Sequence, residues 1–143
     1  MIRAELNQLL EALLPFAQQT LAQSGEFYPI GATTSRDGTI SLVSGQTGDE
    51  HPSSQALIDM IVSNFQKMAA SKEITAAGLC FAVRVTPPGQ SAMVDAICTR
   101  LEHSDGEAID VLLPYACEGK ESITYGVLFA VPGSRRVFPG AIG

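Results

Sequence analysis

Apolar residues return every three or four positions from Ile2 through Leu6, Leu9, Leu10, Leu13, Leu14 and Ala17 to Leu21. That spacing gathers them on one side of an α-helix covering about residues 2–23. Pro15 falls inside the run, where it removes a backbone donor and crowds the preceding turn, so a kink or division near Leu14 is expected. Ser24-Gly25 then supplies a stop. The period changes after it. Residues 27–35 and 39–44 alternate and are rich in Ile, Thr and Val, and the Asp37-Gly38 step between them predicts a hairpin. Beyond the loop SGQTGDEHP, Ser53 or Ser54 is placed to cap a second helix running to about Ser71, with Leu57, Met60, Ile61, Phe65 and Met68 as its buried stripe. Four more strand-like runs follow, at about 75–86, 92–103, 107–115 and 122–131, parted by Pro-Pro-Gly, Ser-Asp-Gly and Ala-Cys-Glu-Gly turns.

The order is therefore α-β-β-α-β-β-β-β. Runs of strands without strict β-α alternation predict an α+β fold, an antiparallel sheet with helices packed on it. The 143 residues, 45% of them hydrophobic, suffice for one domain spanning 1–143 with a core of its own. A hairpin, a helix and then a meander resemble the element order of profilin-like and roadblock-like modules, a likeness of architecture that carries no residue roles.

Turn chemistry predicts register. A three-residue loop Arg36-Asp37-Gly38 with a left-handed glycine pairs Thr34 with Ile40, Ala32 with Leu42 and Ile30 with Ser44, keeping like residues on like faces. The same loop at Ser104-Asp105-Gly106 pairs Leu101 with Ile109, Thr99 with Val111, Ile97 with Leu113 and Asp95 with Tyr115, and on the reverse face Arg100 with Asp110 and Cys98 with Leu112. One strand further back, Leu79, Phe81, Val83 and Val85 are expected on the core face, which sets Ala82 against Ala96 and Cys80 against Cys98. Cys80, Ala82, Val94, Ala96, Cys98 and Leu112 would then form one apolar second face, to be covered either by the N-terminal helix or by a second copy of the chain.

A net charge of −6 with scattered basic residues argues against nucleic acid or anionic lipid as partners, and no apolar run is long enough for a membrane span. Three cysteines without a C-x-x-C step fit a reducing, cytoplasmic setting, with Cys117 the most accessible thiol. No motif calls for a cofactor or a metal: His51 and His103 lack ligand spacing, the loop before the second helix lacks a phosphate-binding lysine, and no serine sits in a nucleophile elbow. His103 and Glu102, adjacent on a strand, point to opposite faces and make no acid-base pair.

No catalytic residue is assigned. The candidates for a binding role are Tyr28 and Gly31 in FYPIGA, Arg84, Arg100 and Asp110 as the rim of an interaction surface, and Asp95 with Tyr115, a carboxylate on a mainly apolar face that must find a donor. FYPIGA with its Asp-Gly hairpin, HPSSQ, AVRVTPPG and LEH…PY resemble a group of uncharacterised bacterial proteins, a resemblance that implies no activity. The reading with the fewest unmet requirements is a non-catalytic interaction module of scaffold, chaperone-like or immunity type, pairing with another protein or with itself. The alternatives are a small-ligand sensor and a small enzyme built on Asp95 and Tyr115.

Overall fold

The computed structural model describes residues 2–24, 27–44, 53–117 and 122–138. The loop before the second helix, with His51, lies outside the described residues, as does Gly25. Two helices, α1 (Ile2–Ser24) and α2 (Ser54–Ala70), accompany seven strands: β1 (Ile30–Ser35), β2 (Ile40–Ser44), β3 (Ile74–Val85), β4 (Val94–His103), β5 (Ala108–Cys117), β6 (Ile123–Tyr125) and β7 (Phe129–Pro132). All pairings are antiparallel, in the order β2-β1-β3-β4-β5-β6, with β7 also on β5. This is an α+β fold.

The helices lie on opposite faces. α1 buries Leu6, Leu9, Leu13, Ala17 and Leu21 against Ile30, Ala32, Cys80, Ile97, Leu101 and Val111. α2 buries Ile61 and Phe65 against Ala77, Leu79, Phe81 and Cys98 on the other side of the sheet. Both β3 and β4 are thus covered twice, which explains a run as continuously apolar as Ile74–Phe81. Pro15 does not divide α1, which is helical throughout. Pro15 and Glu11, whose carbonyl it leaves unpartnered within the helix, are both on the exposed side, where that carbonyl is open to solvent. Ser53 caps α2, its hydroxyl accepting from the Ala56 N–H at 3.1 Å.

The two Asp-Gly turns are built alike. Gly38 and Gly106 have φ of +91° and +112°, and each glycine N–H returns to the carbonyl three residues before it, Ser35 and His103, at 3.0 Å. The registers of β1 with β2 and of β4 with β5 are those expected from the turns. Residues 122–131, expected as one strand, are two. Gly126, Val127 and Leu128 stand opposite only Leu113 and Pro114, so the extra residue bulges outward and leaves Val127 85% exposed.

The β3–β4 register differs from expectation by one residue. Cys80 faces Thr99, Phe81 faces Cys98 and Ala82 faces Ile97, so Cys80 and Cys98 lie on opposite faces, each a buried free thiol. The six residues expected as one apolar face are divided. Cys80 and Ala82 share the side of α1, while Val94, Ala96, Cys98 and Leu112 share the side of α2. The Pro-Pro-Gly connection has no two- or three-residue turn geometry to set its register, and both faces of β3 are apolar, so side-chain pattern does not choose between the two pairings.

Candidate binding groove between the second helix and the sheet

Alternation along β4 sends Arg100 and Glu102 to the α2 side and Asp95 and His103 to the α1 side. Consequently Arg84 and Arg100, expected together on the rim of one surface, face opposite ways. The candidate residues form two separate groups.

The first group is a row on the α1 side. Arg84 pairs across strands with Asp95, Asp95 with Tyr115, and Tyr115 with Tyr125. The Arg84 Nε to Asp95 Oδ1 distance is 4.0 Å, with both side chains more than half exposed, so Asp95 is an edge residue that reaches solvent beside a cation. Burial, and after it the Asp95 charge, raises the Tyr115 hydroxyl above its usual pKa. A shallow open depression touches Tyr115 and Tyr125 without reaching Asp95. Asp95 and Tyr115 therefore meet without enclosing a site. Tyr28, 51% exposed, precedes β1 and belongs to neither group. Gly31 lies under α2: a Cβ on it would stand 2.5 Å from Phe65 Cζ, so its role is to admit the helix.

The second group is on the α2 side. Arg100 Nε lies 3.9 Å from Asp110 Oδ2, and its guanidinium sits 4.7 Å from the centroid of the Phe81 ring, a cation-π contact. Burial pushes the Asp110 carboxyl up, against the pull of Arg100 and Arg136.

Beside this pair lies Glu102, which sequence reasoning missed as a site residue. It is only 6% exposed and holds the segment that follows β7. Its Oε1 accepts from the Arg136 N–H at 2.7 Å, its Oε2 from Val137 at 2.9 Å and from Phe138 at 2.5 Å. Three successive backbone amides thus converge on one carboxylate. From the helix side Gln66 Nε2 donates to the Arg136 carbonyl at 2.7 Å. Val137 and Phe138 are buried in the α2-side core with Ile61, Phe65 and Leu79.

Residues 134–138 form a strap in a groove, gripped mainly by its backbone. The strap does not fill the groove. A cavity of about 30 Å³ remains where Val62, Phe65, Arg100, Glu102 and Asp110 meet Ser134, Arg136 and Val137, and an open one adjoins it at Gln66, Ala70, Arg136 and Val137. The signal available in the sequence was the even numbering of Glu102, which places a carboxylate on the same face as Cys98 and Leu112, together with a Val-Phe pair after Arg135-Arg136 that belongs to no strand.

Among the described residues no cluster of His, Cys, Asp and Glu could hold a metal ion, and no helix is long and apolar enough to cross a membrane. No family model, curated protein or solved structure matches the chain.

Proposed function

We propose that the protein is a non-catalytic interaction module, acting in the cytoplasm, that grips a bent segment of a partner protein in the groove between α2 and the sheet. The observation that carries this is the Glu102 clasp on the amides of Arg136, Val137 and Phe138. A carboxylate that binds three successive backbone N–H groups reads chain conformation, and the apolar floor reads the two side chains that follow; backbone grip with side-chain pockets is how peptide grooves obtain affinity and specificity. The protein's own strap defines the occupant's chemistry: a bent segment whose successive amides turn to the same side, with two adjacent apolar residues, the second aromatic. Hydrogen bonds to charged acceptors contribute about 1.5–3 kcal/mol each, so a segment that replaces the strap must make the same three amide contacts. The sensor and enzyme readings built on Asp95 and Tyr115 have only an open depression and a solvent-exposed ion pair behind them.

The test uses the full chain and a fluorescent peptide copying residues 134–138. Phe138→Ala loosens the protein's own strap, so the peptide is expected to bind this variant saturably and more tightly than wild type. Adding Glu102→Ala should abolish binding while circular dichroism reports an intact fold. A folded Phe138→Ala protein that gives no saturable anisotropy change would overturn the proposal.

A further inference from the structure

At the turn end of the sheet three connections converge: the β1–β2 turn, the α2–β3 turn and the β4–β5 turn. Between them is an open cavity of about 270 Å³. Arg36 and Lys72 stand on its rim, Thr75 and Ser104 line it, the Thr75 hydroxyl donating to the Thr34 carbonyl at 3.5 Å, and Ile74 and Phe138 supply apolar wall. Among the described residues neither cation has an ion-pair partner, although the chain carries a net charge of −6.

The nearby carboxylates are engaged in their own turns. Asp37 accepts from the Thr39 N–H at 3.1 Å and from the Ser35 hydroxyl, Glu73 accepts from the Ser71 hydroxyl at 2.7 Å, and Asp105 accepts from the Glu107 N–H at 3.2 Å. The C-terminal carbonyls of α2, which would repel an anion, are likewise occupied: those of Lys67, Met68 and Ala69 accept from the N–H groups of Ser71, Glu73 and Lys72. Lys72 itself has φ +60°, the one described non-glycine residue in the left-handed region, at the helix-ending position where glycine is usual. A cation is thus held where backbone preference favours another residue, and it borders the cavity.

We infer that this cavity binds a small oxyanion carried on a flat apolar body, a carboxylate or a phosphate ester of an aromatic group. Arg36 and Lys72 meet the charge, Ser104 orients it, and the ring of Phe138 with Ile74 covers the apolar part. The site shares the Phe138 ring with the strap, while none of its polar side chains belongs to the Glu102 clasp.

The experiment titrates the ¹⁵N-labelled full chain with phenyl phosphate, benzoate and inorganic phosphate. Saturable shifts confined to the amides of Arg36, Lys72, Thr75 and Ser104 are expected with one or both aromatic anions, and the tighter of the two identifies the oxyanion. Arg36→Ala and Lys72→Gly are each expected to weaken binding at least tenfold. Because glycine suits the left-handed backbone, Lys72→Gly should melt at the wild-type temperature or above, which separates lost binding from lost fold. Absence of saturation with both aromatic anions would overturn the inference, and so would unchanged affinity in a chain carrying Arg36→Ala and Lys72→Gly together. Inorganic phosphate bound as tightly as phenyl phosphate would mean an adventitious ion only.

Discussion

Gly38 and Gly106 do the same work in two hairpins. Each takes a positive φ that L residues adopt at a cost of about 1–2 kcal/mol, and each closes a three-residue loop that sets the register of two strands. At Gly38 a Cβ would meet nothing within 4 Å, so the penalty there is purely conformational. Gly38→Val is therefore expected to lower stability by at least about 1–2 kcal/mol, and Gly38→Asn by less, since asparagine tolerates the left-handed region. Urea denaturation of the two variants checks both the size and the order. Single residues also account for what the sequence concealed. Alternation along β4 puts Glu102 on the face of Cys98, but its role is hidden because its partners are backbone amides 34–36 residues away, and any sequence has backbone amides. Asp95 attracts attention through the apolar residues around it, yet it sits where the sheet ends in water.

At the scale of elements, α2 approaches the sheet closely because β1 presents Gly31 to it. A Cβ there would collide with Phe65 and press Ile61, with the Gly78 carbonyl 3.2 Å away on the sheet side. Gly31→Ala is expected to cost about 1–3 kcal/mol through overpacking, and Phe65→Leu in the same chain should recover part of the loss by shortening the side chain that collides. Denaturation midpoints of the single and double variants measure the coupling; additive losses would rule out the contact as the cause. The strap behaves differently. It has no regular structure of its own, and its position depends on Glu102 and Gln66, which belong to two different elements. The interrupted strand β6–β7 follows a third rule: its bulge at Gly126–Leu128 breaks an otherwise continuous edge, which limits that edge as a template for further strand pairing.

For the whole molecule, two helices on opposite faces leave the buried thiols of β3 and β4 in separate layers. Burial pushes the Cys80 thiol up to about 11 and the Cys98 thiol up to about 12 from the ordinary thiol value of 9.0. Because these folded values lie above the unfolded one, their contribution to stability is fully present below pH 9 and is lost as the unfolded chain ionises first, between pH 9 and about 11–12. Unfolding free energy should fall over that window, and a Cys80→Ala, Cys98→Ala chain should show a shallower fall; equal slopes would assign the effect to other groups. Periodicity and turn chemistry were enough to read the element order, the α+β class and two of the strand registers, because each rests on interactions within a hairpin or along one helix face. The β3–β4 register, the division of the cysteines between two faces and the distribution of Arg84 and Arg100 were not legible, since a strand apolar on both sides pairs equally well by pattern in either register. The Glu102 clasp and the Arg36–Lys72 cavity were likewise decided only in three dimensions. Their parts are separated by tens of residues along the chain, and they meet because sheet order and helix placement bring the turns and the strap to one side.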